Sequence, residues 1–491
     1  MSSHRLAEAA SAANRFGLGA RPGMIETMAD PRGALRQDVN GSSANDRLFA
    51  GLSTSASYLA AEYQFRHDRK ARKKELDQIN AAANGDAEAK KKLGDGFLKV
   101  FGAQLLAEAN ARWSAALFAP IGFRERIVRF WSNHFAVSID KRAALLYAAP
   151  MEREAIRPHL FGHFEDILLA VETHPAMLRY LDNFQSVGPD SMLGERVARS
   201  PNPEARKRQP GLNENLGREI MELHTLGVNG GYTQADVTEL ARAITGWSLR
   251  APRENGLLGA WLGDADGDPR TGFVFRAKAH QPGSRTLLGK RYPEGGMAQG
   301  RAMLADLAVH PATARHLSFK LARHFVADDP PPKLLQRMTA SWLDTRGDLR
   351  AWYASMLDSE EAWSPQARKF RTPDDFLIAA LRALDAQQVP DVRKLGGLLA
   401  RLGRPDFTPR SPAGFADTAD AWIGPDGLWK RVQVAEELAA RASRGLQPEN
   451  VARAALGPRL QASTAQAVAR ADSPQQAVTL LLGSPDFQWR V

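Results

Sequence analysis

Four polar side chains in one short stretch of the chain have the types and spacing for acid–base chemistry. Asn215, Arg218, Glu219 and Glu222 recur at intervals that place them on one face of a helix. Glutamates three residues apart can raise one another's pKa, whereas Arg218 lowers the pKa of the carboxyl group that it pairs with. The pattern predicts two carboxyl groups of unequal acidity, and hydrolysis of a glycosidic bond uses such a pair.

The structural alternative is that Arg218 and Glu222 form an ordinary surface ion pair and that Glu219 is simply solvated. The neighbouring residues favour a functional site over a surface ion pair, because the polar run 213–215 precedes the four side chains and Trp247 follows them. A tryptophan beside the cluster would offer an apolar face to a sugar ring.

The elements that must position these side chains form a predicted helical hairpin. Asn213 is a typical N-cap for a helix that runs to about residue 226, and Gly227 suits a left-handed stop. Thr233 and Asp236 form a capping box that opens a second helix. Because the linker between the helices is short, we expect them to be antiparallel, with Trp247 beside the start of the first helix.

Two further segments could contribute to the same site. His134 follows the apolar helical pattern of residues 123–131, and Asn133 could orient it or a ligand. A lone histidine in such a place is usually a core residue whose ring hydrogen bonds to a backbone carbonyl; proton transfer and metal ligation are the functional alternatives. Asp182 and Asn183 end another helical segment, where they either terminate the helix or project into a cleft.

An ordered series of motifs is similar to those of a known family. The stretch from Asn213 to Trp247, NENLGREIMELHTLGVNGGYTQADVTELARAITGW, resembles the signature of the bacterial domain-of-unknown-function 1800 family. Further landmarks agree in order: ANRFGLG (13–19), RIVRFWSNHF (126–135), MLRYLDN (177–183), HQPGSRTLLG (280–289), HPATARHLSFKLARHFVADDPP (310–331), SPAGFAD (411–417) and LLLGSPDFQWR (480–490). The resemblance implies a mainly helical architecture and motif positions, but no reaction. His224 and Ser132 depart from the residues common in the family, which weakens a catalytic role for either position.

Composition bounds the class of protein. The 491 residues are 44% hydrophobic, enough to bury a large core, and the absence of cysteine excludes disulfides and thiolate chemistry. The net charge of +10 favours polar or anionic polymer partners. Much of the excess lies in a basic polar insertion at 66–95, which no nucleic-acid-binding motif accompanies, so we do not expect nucleic acid as the partner.

We expect a mainly α fold in one interleaved domain of residues 1–491. The predicted subdivisions are the insertion at 66–95, a loop at 184–212, an insertion at 250–300 with strands at 273–275 and 286–288, and a helical C-terminal part at 301–491. No apolar run is long enough to span a bilayer, and no secretory signal is visible, which makes the cytoplasm the default location without excluding export. The oligomeric state stays open.

The leading prediction is a hydrolase that acts on a polar polymer, with carbohydrate as the favoured substrate. A non-catalytic binding or assembly protein is the competing class. A metal-dependent hydrolase that uses a divalent ion held by His134, Asp182, Glu219 and His280 is a second alternative, although no HExxH or cysteine-based metal pattern is present and no cofactor is predicted. The predicted catalytic residues are Glu219, Glu222, Asp182 and His134. The predicted substrate-binding residues are Asn133, Asn183, Asn213, Glu214, Asn215, Arg218, Trp247 and His280.

Overall fold

The structure is a computed structural model that describes residues 3–40, 44–82, 96–202, 211–250, 261, 265–442 and 445–490. It is 63% helical with small antiparallel strand pairings, which confirms the mainly α prediction. The basic insertion begins on the helix Ser55–Ala82, and its residues 83–95 lie outside the described residues. Residues 203–210 of the predicted loop, and 251–260 and 262–264 of the strand-containing insertion, also lie outside them.

The α-helices are distributed along the described residues from Ser3 to Gln488. In chain order the α-helices are Ser3–Ser11, Met24–Thr27, Pro31–Asn40, Ser55–Ala82, Gly96–Phe118, Phe123–His134, Ala148–Met151, Phe164–Glu172, Pro175–Tyr180, Met192–Ala198, Asn215–Glu219, Gln234–Ala243, Met297–Ala308, Pro311–Phe325, Pro332–Asp344, Leu349–Leu357, Glu360–Trp363, Pro373–Ala383, Val392–Arg401, Pro425–Ala440, Pro448–Leu456, Ala462–Ala469, Pro474–Gly483 and Pro485–Gln488. The π-helical segments are Ala12–Phe16, Glu152–Ile156 and Ile220–His224. The helix Met192–Ala198 lies inside the stretch predicted to be a loop, since Ser191 caps it by accepting the N–H of Gly194 at 3.1 Å.

The strands form three small antiparallel sheets. β1 (Trp247–Leu249), β3 (Phe273–Phe275) and β2 (Ala265–Asp268) form one sheet in the order β1-β3-β2, with Trp247 opposite Phe275. β4 (Arg285–Leu287) pairs with β5 (Lys290–Tyr292), and β6 (Lys369–Phe370) pairs with β7 (Trp489–Arg490). Strand structure is therefore present at both predicted positions, within one residue of the expected bounds.

The helical hairpin forms, but its first helix differs from the prediction. The α-helix Asn215–Glu219 continues as the π-helix Ile220–His224, in place of one α-helix to about residue 226. Gly227 has a φ of +85°, so the left-handed stop is confirmed, and the capping box of Thr233 and Asp236 is present. The two helices approach closely at Gly217, where a Cβ would lie 3.1 Å from the backbone nitrogen of Ala241.

Segments that are far apart in sequence share the apolar core. One cluster of buried residues draws on positions between 12 and 367, and a second combines positions 376–487 with Leu18 and part of the helix Gly96–Phe118. Polar contacts join the same segments: the Asn14 side chain donates to the carbonyl of Ala455 at 3.0 Å and accepts from Arg371 at 2.8 Å. An interleaved domain requires such packing, although the domain bounds themselves stay a prediction.

Not one of the helices in the described ranges has both the length and the apolar character needed to cross a bilayer.

Candidate functional site

Glu219 lies where the hairpin's first helix changes from α to π geometry. Its side chain is half-buried, and burial raises its pKa. The negative charges of Glu222 and Glu172 raise it further, against the opposing charges of His224 and Arg218. Segments of π-helix are rare and frequently lie at functional sites. Glu219 is therefore a carboxyl group suited to remain protonated nearer neutral pH than an ordinary glutamate.

Two tyrosines border this carboxyl group. The pKa of Tyr180 is raised by burial and then by the charges of Glu219 and Asp140. The pKa of Tyr232 is also raised by burial, followed by the charge of Glu222, to which it hydrogen bonds. Both tyrosines are partly exposed. They present aromatic surface and hydroxyl groups beside the carboxylates, a combination that suits contact with a sugar.

Asp182 supplies a second type of carboxylate next to Tyr180. Its Oδ2 accepts a hydrogen bond from Lys141 Nζ at 2.5 Å, and the same ammonium group donates to the carbonyl of Tyr180 at 2.8 Å. The Asp182 side chain is 46% exposed, so solvent and ligands can reach it. Its backbone is left-handed, with a φ of +59°, a conformation that non-glycine residues adopt seldom and often at functional sites.

We call the set Lys141, Tyr180, Asp182, Glu219 and Glu222 the Glu219 cluster. It combines a half-buried carboxyl group whose pKa is raised with an exposed carboxylate that is paired with an ammonium group. The first group can donate a proton and the second can act as a base or a nucleophile. The sequence predicts Glu219, Glu222 and Asp182 as catalytic residues, with Glu219 or Glu222 opposite Asp182, and does not assign the acid and the base.

The other polar residues of the hairpin hold its two helices together. Glu214 accepts hydrogen bonds from Thr238 at 2.7 Å, Gln234 at 2.8 Å and Arg218 at 3.3 Å. The hydrogen bond from Thr238, with those from its other partners, lowers the pKa of Glu214. The bonds from Thr238 and Gln234 link Glu214 to the second helix, and Arg218 Nη2 donates to Gln234 Oε1 at 2.9 Å, so Glu214 and Arg218 act mainly as braces beside the Glu219 cluster.

Asn213 and Asn215 lie at the start of the same helix. Asn213 Oδ1 accepts the backbone N–H of Asn215 at 2.9 Å, but the N-cap position is Glu214, one residue later than predicted, and its side chain makes no capping hydrogen bond. Its Nδ2 donates to the carbonyl of Leu181 at 2.9 Å, which ties the helix start to the residue before Asp182. Asn215 itself is exposed.

His134 lies in the core and makes a structural contact. Its side chain is 1% exposed, and its Nε2 donates to the carbonyl of His224 at 3.1 Å. His316 likewise donates to the carbonyl of Leu223 at 3.3 Å. These carbonyls belong to the end of the π-helix, where backbone acceptors lack partners within the helix. The pKa of His134 lies well below its usual range because the ring is buried, so the ring is neutral.

His224 links the π-helix to a buried carboxylate. Its Nδ1 lies 2.7 Å from Glu172 Oε1, and neither side chain is exposed. Since His224 ends the π-helix that follows Glu219, the contact with Glu172 holds this segment in place. This contact gives His224 a positioning role, which its departure from the family pattern did not suggest.

Asn133 holds the loop 411–417 against the helix Phe123–His134. Its Oδ1 accepts the backbone N–H of Phe415 at 2.8 Å, and its Nδ2 donates to the carbonyl of the same residue at 3.0 Å. Gly414 makes this approach feasible: its φ is +85°, and a Cβ there would lie 2.3 Å from the carbonyl oxygen of Asn133. Two segments of the motif series, RIVRFWSNHF and SPAGFAD, therefore meet through the hydrogen bonds of Asn133.

Replacing Gly414 by alanine is therefore expected to lower the free energy of unfolding by at least about 2 kcal/mol, because strain in the left-handed region adds to a backbone clash. Gly289→Ala is the matched control. Gly289 has a φ of +78° but open space around its Cβ position, so it should show only the backbone strain of about 1–2 kcal/mol. Urea denaturation measures both variants, and equal losses would contradict the predicted clash with Asn133.

Three residues expected at the cleft are buried instead. Trp247 is 0% exposed, so the expectation that it borders the cluster as a sugar platform is wrong; it lies in β1 and its ring packs against Phe273 with centroids 6.0 Å apart. Asn183 is also 0% exposed and donates to the carbonyl of Ile244 at 3.3 Å. His280 is 7% exposed, and its Nδ1 donates to the carbonyl of Thr245 at 3.0 Å. Hydrogen bonds to backbone carbonyls thus occupy the side chains of Asn183 and His280.

Residues in the Glu219 cluster or bordering it that we did not predict had weak signals in the sequence. Tyr180 stands in the segment MLRYLDN, and Tyr232 in the linker of the hairpin, so each was near a predicted site residue. Lys141 carries no motif; its role depends on a tertiary contact. Within the described ranges, no three histidine, aspartate or glutamate side chains are grouped so that they could hold a metal ion.

Comparison with known proteins adds the family but no activity. Neither the curated proteins nor the solved structures give a match. One family model, described as "Protein of unknown function (DUF1800)", matches residues 11–489. Because this match covers almost the whole chain, the protein belongs to the DUF1800 family.

Proposed function

We propose that this protein is a hydrolase of a polar polymer, with carbohydrate as the substrate class. The observation that carries the proposal is the raised pKa of the half-buried Glu219 within reach of partly exposed tyrosines and carboxylates. Burial and like charge are the two means by which glycoside hydrolases keep one carboxyl group protonated. The second carboxylate, that of Asp182, accepts a hydrogen bond from Lys141 Nζ at 2.5 Å.

In the proposed reaction, the glycosidic carbon–oxygen bond breaks and the leaving oxygen takes the proton of Glu219. Asp182 accepts a proton from the water whose oxygen adds to the sugar carbon. Proton exchange with solvent then returns both carboxyl groups to their starting states. Tyr180 and Tyr232 provide aromatic surface and hydroxyl groups for the sugar. The net charge of +10 suits a glycan that carries negative charge.

The test is a screen of the purified protein against neutral and acidic polysaccharides, with release of reducing ends as the readout. Glu219→Gln and Asp182→Asn should each reduce the rate on the order of 100-fold, because each removes a proton-transfer group. Glu436→Gln, which changes an exposed glutamate on the helix Pro425–Ala440, is the matched control and should keep the wild-type rate. Melting temperatures should remain similar in all variants.

The pH profile provides a second readout. The active form of Glu219 is protonated, so the rate should fall as pH rises through its raised pKa. Glu222→Gln removes a charge that raises this pKa and should move the fall to lower pH. A wild-type protein that cleaves no glycan, or a Glu219→Gln variant that keeps the full rate, would contradict the proposal. Glycan binding without cleavage would favour the recognition protein that is the competing class.

A further inference from the structure

A cavity of about 330 Å³ opens to solvent beside the helix Ser3–Ser11. Its wall also contains Arg32, residues of the segment 360–365 and Arg459. The volume falls within the range of about 300–1,000 Å³ that is usual for pockets that hold small molecules. Of the described residues in the wall, none belongs to the Glu219 cluster, so a ligand bound here would occupy a separate site.

Arg459 is a cation of the cavity wall that has no counter-ion among the described residues. Its Nη2 donates to the hydroxyl of Ser11 at 3.3 Å, and burial lowers its pKa. The residue is partly exposed. Its Nε is buried, whereas its Nη1 is not and has no hydrogen-bond partner in the described part of the chain. A ligand in the cavity can therefore reach an unused donor of this guanidinium group.

A second arginine adds positive charge behind the same part of the wall. Arg15 Nη2 donates to the carbonyl of the wall residue Ser364 at 2.9 Å, and its other hydrogen bonds also go to backbone carbonyls. Burial and then the charge of Arg459 lower the pKa of Arg15 to about 9. Because carbonyl groups carry no net charge, these two guanidinium groups leave this part of the wall positive.

The balance of charge is reversed around Arg32. Its guanidinium group donates to Glu8 Oε1 at 3.1 Å and to Glu360 Oε1 at 2.9 Å, and its guanidinium carbon lies 4.7 Å from the centre of the Trp363 ring. One cation thus serves two carboxylates, which leaves a net negative charge. The side chains of Glu8 and Glu360 are 22% and 81% exposed, so their second oxygens remain available to a ligand.

We propose that this cavity binds a small zwitterion, a molecule with one carboxylate and one ammonium group, as in an amino acid or a short peptide. Arg459 receives the carboxylate through its unused Nη1 donor, and Glu8 and Glu360 receive the ammonium group. Hydrogen bonds between ionised groups are about twice as strong as those between neutral groups. A ligand with a single charge satisfies only one of these two parts of the wall. Zwitterion binding here does not depend on the hydrolase activity.

The test is a calorimetric titration of the whole protein at pH 7 and constant ionic strength. The probes are glycine, 4-aminobutyrate and diglycine, which differ in the distance between their charges, and acetate and ethylamine, which carry one charge each. At least one zwitterion should bind saturably and about 10-fold or more tightly than acetate or ethylamine, because it makes both sets of charged hydrogen bonds. The zwitterion that binds most tightly gives the spacing of the charges.

Arg459→Gln keeps an amide donor but removes the charge, so the affinity for the best zwitterion should fall by about 10-fold or more. Arg453→Gln is the matched control, because Arg453 is exposed on the helix Pro448–Leu456 and lies outside the cavity wall. It should bind the zwitterion as the wild-type protein does. Circular dichroism establishes that each variant is folded.

A second variant covers the case in which Arg459→Gln does not fold. The double change Glu8→Gln with Glu360→Gln removes the two carboxylates that receive the ammonium group and should also weaken zwitterion binding by about 10-fold or more. The proposal is overturned if none of the three zwitterions binds the wild-type protein, if acetate or ethylamine binds as tightly as the best zwitterion, or if either variant, when folded, keeps the wild-type affinity.

Discussion

Asp375→Asn is expected to lower the free energy of unfolding by about 3–5 kcal/mol, because it leaves buried cations without their counter-ion. Asp375 is 3% exposed and lies 2.6 Å from Arg126, 3.1 Å from Arg490 and 3.5 Å from Arg371. These arginines come from the helix Phe123–His134, from β7 near the end of the chain and from the residue after β6. The single carboxylate thus joins three distant segments.

The loss should depend on pH. Burial opposes ionisation of Asp375, but the charges of Arg126, Arg490 and Arg371 outweigh it and hold the pKa of Asp375 well below its usual range. A depressed pKa in the folded state stabilises the protein at pH above the unfolded value of about 3.9, and this stabilisation is lost as pH falls towards the folded value. The wild type and Asp375→Asn should therefore differ most above about pH 5 and converge in acid.

Urea denaturation between about pH 3 and pH 7 measures this difference. Asp426→Asn is the matched control, because Asp426 is 78% exposed and pairs only with its helical neighbour Lys430. Its loss should stay below about 0.5 kcal/mol. If Asp375→Asn were as mild as the control at pH 7, the buried cations would not depend on this carboxylate.

The second large effect is expected at Arg382, for which Arg382→Met should lower the free energy of unfolding by about 3 kcal/mol or more. Arg382 is 0% exposed and donates only to backbone carbonyls. The acceptors are those of Gly19, Ala116, Leu117, Ala119 and Pro120, at 2.7 to 3.3 Å. Most of them lie at or just after the C-terminus of the helix Gly96–Phe118, where carbonyls lack helical partners and a cation is favourable.

Methionine keeps much of the apolar volume of Arg382 but none of its donors, so the carbonyl groups would stay buried without partners. Arg382→Lys should lose less stability, since a single ammonium group can satisfy some of the carbonyls. Arg393→Met, at an exposed helical position, is the control. Equilibrium denaturation of the three variants gives the order, and a Met variant no less stable than the Lys variant would contradict the capping role.

The buried arginines also change the meaning of the basic composition. From the sequence, the net charge of +10 was interpreted as a surface property that attracts anionic partners. Arg15, Arg371, Arg382 and Arg490 are instead among the largest fully buried side chains. Arg15, for example, donates to the carbonyls of Ala362 at 2.5 Å and Ser364 at 2.9 Å. Part of the positive charge therefore serves as internal hydrogen-bond donors, which a residue count cannot reveal.

The sequence by itself determined those features that depend on neighbours within a few residues. The capping box of Thr233 and Asp236, the left-handed stop at Gly227 and the strand at 273–275 follow from local backbone preferences, and all are present. The grouping of Glu219 with Glu222 follows from helical spacing in the same way. The family was likewise readable from the order of its motifs.

The tertiary structure decided where each polar side chain finds its partner. His134, Asn183 and His280 have the composition of a site, yet each donates to a backbone carbonyl, at a sequence separation of 35 to 90 residues. Trp247 is buried in a strand pairing, whereas Lys141 contacts Asp182 across the fold and the charge of Glu219 acts on Tyr180. Local periodicity fixes the face of a helix on which a residue lies, but burial and hydrogen bonding depend on which distant segment covers that face.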